Sequence, residues 1–327
     1  MTDEQAVVLI KKYLRGFSRK KTVKNYYHQI NLDESREERI VVIGDIHCDF
    51  TSLSTILTLL STDESYNYLT KARFVFLGDY IDRGNNMLRT IRLLLGFKKN
   101  LEERCILLRG NHELIFCEDG RMNSYVTPSD TADELNNKFA GDKEFLELFA
   151  NFFNQLPSYC VVHAQKKNYF LVHGSIPEDI FTYGGAYIDT ETAEVKFLKE
   201  PPEPMDEFRR KMLLSMLWGD PKEVKRKMQF GFESRFEFGR EQFDSFMKTN
   251  KLDVLIRSHE PVNDGVKSFF DGRLYTLFST GGVNNPDTSY WAEGSLFNVS
   301  SPKIAIINSL SEEITFIDIF KTMNHDK

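Results

Sequence analysis

The sequence predicts an α/β protein with a β-α-β-α-β core, and three observations predict it. First, RIVVIGDIH (39–47), RFVFLGDY (73–80) and CILLRGNHE (105–113) each begin with a short run of β-branched or bulky apolar residues. Second, each run ends in glycine followed by a polar residue: Gly44-Asp45, Gly78-Asp79 and Gly110-Asn111. Third, the segments between them have helical spacing, with Leu53, Ile56, Leu57 and Leu60 in one and Met87, Ile91, Leu94 and Leu95 in the other. This alternation implies right-handed crossovers and neighbouring parallel strands. The carboxyl ends of parallel strands form one rim, where ligands bind, so the three Gly-polar ends are expected to converge.

Ahead of this core, residues 4–30 read as helical and basic. No acid occurs between Gln5 and Leu32, whereas Lys11, Lys12, Arg15, Arg19, Lys20, Lys21 and Lys24 do. A solvated helical lead-in is the simplest account, and a docking or targeting patch is the other. Asp33, Glu34, Glu37 and Glu38 then read as a linker into the first strand.

Beyond the core, Phe145, Leu148, Phe149 and Phe152 mark one face of a helix. YCVVHAQ and NYFLVHGS, separated by Lys166-Lys167, read as a β-hairpin. DVLIRSHE and RLYTLFSTGG read as further strands, and KIAIINS with EITFIDIF as a closing antiparallel pair. The acidic stretch 186–207, with three prolines, is the candidate for an exposed insertion.

With 41% hydrophobic and 28% charged residues, the 327-residue chain has ample apolar material for a core. A net charge of -6 argues against a general nucleic-acid binder. Neither a signal-peptide pattern nor a membrane-length apolar run is visible. A cytoplasmic location is expected, with the nucleus also open, and no membrane partner. Cys48, Cys105, Cys117 and Cys160 form no CxxC pair and are expected to be reduced, mostly buried thiols.

The strand ends and later segments supply Asp45 and His47 (GDIH), Asp79, Asp82 and Arg83 (GDYIDRG), Asn111 and His112 (GNHE), His173 (VHGS) and His259 (RSHE). Carboxylates mixed with imidazoles and a carboxamide, without thiolates, suit Mn, Fe or Zn. The set is too large for one metal with open positions, and suits two sharing a bridging carboxylate. Such a pair, about 3.5–4 Å apart, is the clamp used by phosphatases and nucleases. Taken singly, each residue has a plainer reading: a turn aspartate, a helix-capping asparagine or a core histidine. His163, in VVHA with no following glycine, is read as structural, and Trp218 in LWGDP as packing.

The ordered motifs GDIH, GDYIDRG, RGNHE, VHGS and IRSHE resemble the PPP family of protein serine/threonine phosphatases, within the calcineurin-like metallophosphoesterases. The resemblance spans Ile40 to about Phe320. It implies a metallophosphoesterase fold: two mixed β-sheets packed as a central sandwich, flanked by α-helices, with metals at one edge. Residues 39–327 would form the catalytic domain and 1–38 an N-terminal helical extension. Asp45, His47 and Asp79 would hold one metal, and Asp79, Asn111, His173 and His259 the other, with Asp79 bridging. The ions would be divalent or trivalent, Mn²⁺ or else Fe or Zn. Asp82 would orient His112, the general acid, and Arg83 would grip the phosphate while a metal-bridging hydroxide attacks in line. Phosphoserine and phosphothreonine in proteins would be the substrates, and a regulatory subunit is an expected partner.

Two segments depart from the family pattern. After LWGDP the chain has no Arg-Gly, which leaves Arg235 as the nearest substitute for the second phosphate-binding arginine. The usual SAPNY loop is replaced by STGGVNN (279–285). That loop makes hydrolysis of dinucleoside polyphosphates the alternative activity. A phosphate-binding pseudoenzyme conflicts with the presence of every proposed ligand and of His112.

Overall fold

The structure is a computed structural model. It describes residues 2–19, 27–33, 35–63, 65–178, 186–188, 195–197, 205–223, 236–288, 299–311 and 313–321. The elements in its first half are α1 (Asp3–Arg19), β1 (Tyr27–Asn31), β2 (Arg39–Ile43), α2 (Phe50–Thr62), α3 (Tyr68–Lys71), β3 (Arg73–Phe76), α4 (Met87–Leu101), β4 (Cys105–Leu107), β5 (Ile115–Glu118), β6 (Arg121–Ser124), α5 (Asp130–Phe139) and α6 (Lys143–Asn154). Then follow β7 (Tyr159–His163), β8 (Asn168–Val172), β9 (Ala186–Ile188), β10 (Val195–Phe197), α7 (Met205–Trp218), β11 (Asp220–Pro221), β12 (Glu237–Phe238), α8 (Arg240–Thr249), β13 (Val254–Arg257), β14 (Val266–Phe269), β15 (Leu274–Leu277), β16 (Lys303–Asn308) and β17 (Ile314–Asp318).

Two mixed sheets organise these elements. One has the strand order β17-β16-β2-β3-β4, the other β1-β7-β8-β13-β15-β14. In the first, β2, β3 and β4 are parallel and in step, with Ile43 opposite Phe76 and Phe76 opposite Leu107. Their carboxyl ends therefore finish level, as the β-α-β-α-β reading requires.

Period-two alternation sorts the strand residues between layers. Ile40, Val42, Val75 and Ile106 face inward and meet Val162, Tyr169, Leu171 and Ile256 of the second sheet in the sandwich core. Val41, Ile43, Phe74 and Phe76 point outward into a layer with Ile56, Leu94 and Phe149 from α2, α4 and α6. The second sheet packs its outer face on Met216 of α7 and on Phe243 and Phe246 of α8.

The helices start where local chemistry dictates. Asp49 caps α2 by accepting the Ser52 N–H at 2.8 Å, and Asp142 caps α6 through Phe145 N–H at 3.1 Å. The β7–β8 hairpin and the β16–β17 pair are antiparallel, as read from sequence.

The helical reading of residues 4–30 holds only as far as α1. Tyr27–Asn31 is instead a strand, parallel to β7, with Tyr27 opposite Tyr159. That pairing is non-local, so no periodicity within the segment announces it. The apolar face of α1 buries Ala6, Val7, Ile10 and Leu14 in the helical layer. Its basic face is engaged as well: Lys11 bonds Asp142 at 2.8 Å, and Arg15 reaches Glu144 at 2.6 Å. Of the 186–207 stretch, β9 and β10 form an antiparallel hairpin and α7 begins at Met205; the rest lies outside the described residues.

Candidate metal centre

The rim is built by close backbone approach. Gly78 has φ +112 and packs so tightly on Gly110 that a Cβ on Gly78 would stand 2.4 Å from the Gly110 nitrogen. Just beyond lies Glu113, fully buried. Its Oε2 accepts the N–H groups of Asp79 (2.8 Å) and Gly110 (2.9 Å), and its Oε1 that of Tyr80 (2.8 Å). One carboxylate thus ties together the loops after β3 and β4. His47, Asp79, Asp82, Arg83 and His259 all have left-handed backbones, with φ between 45 and 72. A non-glycine residue in this region costs about 1–3 kcal/mol, which tertiary contacts must offset.

On this frame the side chains converge. The His47 ring gives Nδ1–H to the Ile81 carbonyl (3.0 Å) and turns Nε2 towards Asp45 Oδ2 and Asp79 Oδ2, each 3.6 Å away. His173 repeats the arrangement. Nδ1 bonds the Leu77 carbonyl at 3.1 Å, while Nε2 lies 2.8 Å from Asn111 Oδ1 and 3.3 Å from Asp79 Oδ2. His259 brings Nδ1 to 3.0 Å from the same Asn111 oxygen. Asp45 is anchored by Ser258, whose hydroxyl is 2.5 Å from Oδ1, and its Oδ2 is buried without a hydrogen-bond donor among the described residues.

Ligand atoms of His47, Asp79 and His112 form one group lying within 4.8 Å of one another, and those of Asp79, His173 and His259 another. Asp79 belongs to both. His112 enters the first group because Asp82 holds its ring there, edge-on to His47 at 4.9 Å.

This donor set fits cations. In His47 and His173 a carbonyl-bonded Nδ1–H directs Nε2 inward, the arrangement typical of metal-binding histidines. The other inward atoms are ring nitrogens of His112 and His259 and oxygens of Asp45, Asp79 and Asn111, which also seek positive charge. Burial alone would lower the pKa of His47, yet the Asp45 carboxylate 3.6 Å away and the charge of Asp79 push it up to about 9. Burial likewise opposes charge on His173, but Asp79 and Asp45 raise its pKa. Burial disfavours the charged Asp79 carboxylate, while His173, His112 and His47 bring it well below the usual carboxylate range.

Beside the histidines, His112 Nδ1 lies 2.7 Å from Asp82 Oδ2. Asp82 is buried, which would raise its pKa, but the bond and charge of His112 with the Thr131 N–H and Ser129 hydroxyl lower it. Arg83 is partly exposed at the rim, its N–H bonded to Asp130 Oδ2 at 3.2 Å. Arg235 lies outside the described residues. His163 bonds Asn168 Oδ1 at 2.9 Å, at the hairpin end opposite His173.

Several supporting residues escaped sequence reasoning: Glu113, Ser258, Ser129, Thr131, Asp49 and Arg257. Glu113 closes the GNHE motif, so its position was a signal. The others act through contacts distant in sequence. Arg257 is fully buried and bonds Asp220 (2.9 Å) and Glu260 (2.6 Å), joining the LWGDP and IRSHE segments. Trp218 then packs edge-on to His259 at 5.8 Å. Asp49 Oδ2 receives the Thr280 hydroxyl (2.5 Å) and the Asn285 amide (2.7 Å), which latches the STGGVNN loop to the start of α2.

Two mixed sheets with a histidine–aspartate centre at their rim define a metallophosphoesterase. The chain belongs to the calcineurin-like phosphoesterases, whose family model matches residues 38–263. Among curated proteins it is 30% identical over 240 residues to the serine/threonine-protein phosphatase 4 catalytic subunit of Eremothecium gossypii, covering 73% of this chain and 68% of that one. The Kluyveromyces lactis protein of the same name is 28% identical with the same coverage. A serine/threonine phosphatase structure from Saccharomyces cerevisiae shares the fold, with a TM-score of 0.65 at 23% identity over 94% of this chain and 83% of that one. The chain is therefore a phosphoesterase distantly homologous to the PPP-family serine/threonine phosphatases. Among the described residues, no helix is long and apolar enough to cross a membrane.

Proposed function

We propose that this phosphoesterase removes phosphate from phosphoserine and phosphothreonine in proteins. The observation that carries the reading is the shared Asp79 carboxylate, with Oδ2 3.6 Å from His47 Nε2 and 3.3 Å from His173 Nε2, next to the Asp82–His112 pair. Asp45, His47 and Asp79 would hold one ion, and Asp79, Asn111, His173 and His259 a second, with manganese, iron or zinc all suited to these donors. Ions bound there would supply Lewis acidity towards the phosphoryl group.

The chain's own residues do the rest. Asp82 takes up His112 Nδ1, so Nε2 is the atom that delivers a proton to the departing alkoxide. Arg83, at the rim, offers a planar fork to two phosphate oxygens, and Arg235 is proposed as the second arginine of that grip. The proposed ligands run from Asp45 to His259, which supports one catalytic unit over 39–327 with the segment 1–38 as its N-terminal extension. Similarity to proteins named as catalytic subunits supports phosphoprotein substrates and a regulatory subunit.

The test is a rate comparison of the Mn²⁺-loaded protein on phosphoserine, phosphothreonine and phosphotyrosine peptides and a dinucleoside tetraphosphate. The phosphoserine and phosphothreonine peptides are expected to be preferred. A preference of several orders for the nucleotide would replace this reading with polyphosphate hydrolysis.

A further inference from the structure

We propose that Ser129 and Thr131, at the start of α5, are positioning residues for the proton donor: they hold Asp82 in the orientation that aims its second oxygen at His112. The inference rests on the reading of His112 as general acid, and deepens it.

Asp82 is held at every polar atom. Its Oδ1 accepts the Ser129 hydroxyl at 2.9 Å and the Thr131 N–H at 2.8 Å, and its own N–H donates to Thr131 Oγ1 at 2.9 Å. Ser129 Oγ also accepts the Ala132 N–H at 3.3 Å as the cap of α5. With that lone pair engaged, its single proton is committed to Asp82. Oδ2 is left for His112 Nδ1, 2.7 Å away.

The clamp is needed because nothing local supplies it. Asp82 and Arg83 are left-handed, with φ 63 and 71, so the GDYIDRG turn has no intrinsic preference for its shape. The terminal torsion of aspartate is broad, and a carboxylate bonded through one oxygen alone would swing. Two donors on Oδ1 remove that freedom, and the N-terminus of α5 favours the negative charge placed on it. The three residues involved, Asp82, Ser129 and Thr131, are all buried. The ring orientation of His112 is thus set by the Ser129–Thr131 segment, on a different element further along the chain.

A donor held in place matters most when the leaving group is poor. Alkoxide departure from phosphoserine needs the proton, whereas 4-nitrophenolate leaves with little help. In the Mn²⁺-loaded protein, Ser129→Ala is expected to lower kcat on a phosphoserine peptide about 10- to 100-fold, within the range of general-acid effects. On 4-nitrophenyl phosphate the loss is expected to be within about threefold, and KM for both esters should stay unchanged. Ser129→Thr, which keeps the hydroxyl, should restore the peptide rate. Thr131→Val removes the acceptor for Asp82 N–H but keeps the Thr131 N–H on Oδ1, so it should show a smaller loss with the same selectivity; it decides the matter if Ser129→Ala does not fold. Equal losses on the two esters, or an unchanged peptide rate in a folded variant, would overturn the positioning role. A wild type inert towards both esters would overturn the phosphatase reading, and the positioning role with it.

Discussion

The Glu113 carboxylate accepts the backbone N–H of Asp79 at 2.8 Å, and so holds the residue shared by both candidate ligand groups from behind. The same carboxylate takes N–H groups from Tyr80 and Gly110. Burial, then the charge of Asp79, pushes its pKa up, against the pull of those three N–H donors, which favour the carboxylate. Glu113→Gln puts an amide N–H where only acceptors fit. It should cost about 1–3 kcal/mol of stability, the penalty for a buried group left unsatisfied. Thermal unfolding, with metal analysis of the purified variant, measures both the loss and its effect on the centre.

Asp79→Asn should nearly abolish hydrolysis of any phosphate ester while leaving the fold intact, because it removes one charge shared by the two groups. His112→Asn should be selective. An alkyl phosphate ester should lose about 10²–10⁴-fold, the usual worth of a general acid, and a good aryl ester much less. Steady-state rates on the two esters check this, and full retention of the alkyl rate would remove His112 from the proposed role.

Metal removal should weaken the protein as well as silence it. An ion that binds only the folded chain stabilises it by about 2.7 kcal/mol when present at 100 times its dissociation constant. A chelator should therefore lower the melting temperature, and Asp79→Asn should blunt that shift. Well under two ions per chain after reconstitution would be incompatible with a dinuclear centre.

Acid should loosen the docking of α1. Burial would raise the pKa of Asp142, but the Lys11 hydrogen bond and the Phe145 N–H bring it below its ordinary value of 3.8. A depressed carboxylate stabilises the folded state above its unfolded pKa, and that contribution fades as pH falls through the lower folded value. Lys11→Met should therefore cost about 0.5–1 kcal/mol near neutral pH, as for a partly buried surface ion pair. The difference from wild type should shrink as pH falls below the ordinary value of 3.8 and through the lower folded one. Denaturant unfolding across that range is the measurement.

Alkylation should separate the thiols. Cys48, Cys105 and Cys160 are buried and Cys117 is partly exposed. Burial pushes the Cys105 thiol up to about 12 and the Cys48 and Cys160 thiols well above their ordinary value. In the native protein iodoacetamide should label Cys117 before the other three, as mass spectrometry would record.

Much of the rim was legible because its determinants are local. RIVVI, RFVF and CIL each carry alternation that sends Val42, Val75 and Ile106 to one core and Val41, Phe74 and Phe76 to the other. Parallel crossovers then bring Gly44-Asp45, Gly78-Asp79 and Gly110-Asn111 to one edge. The helical reading fails over residues 27–30 because a strand that pairs with the distant Tyr159–His163 leaves no periodic trace of its own.

By itself, the sequence determined the order of the β-α-β-α-β core, the residue types at the rim and the family, since strand period, helix spacing and motif order lie along the chain. Tertiary structure alone decided how those residues are aimed. The left-handed turns at His47, Asp79, Asp82 and His259 are unfavourable locally, and only distant partners hold them. Glu113 grips the backbone of Asp79, Ser129 and Thr131 grip Asp82, and Ser258 grips Asp45. Hydrogen bonds of about 3 Å tolerate little error, so such partnerships are settled by packing and not by spacing.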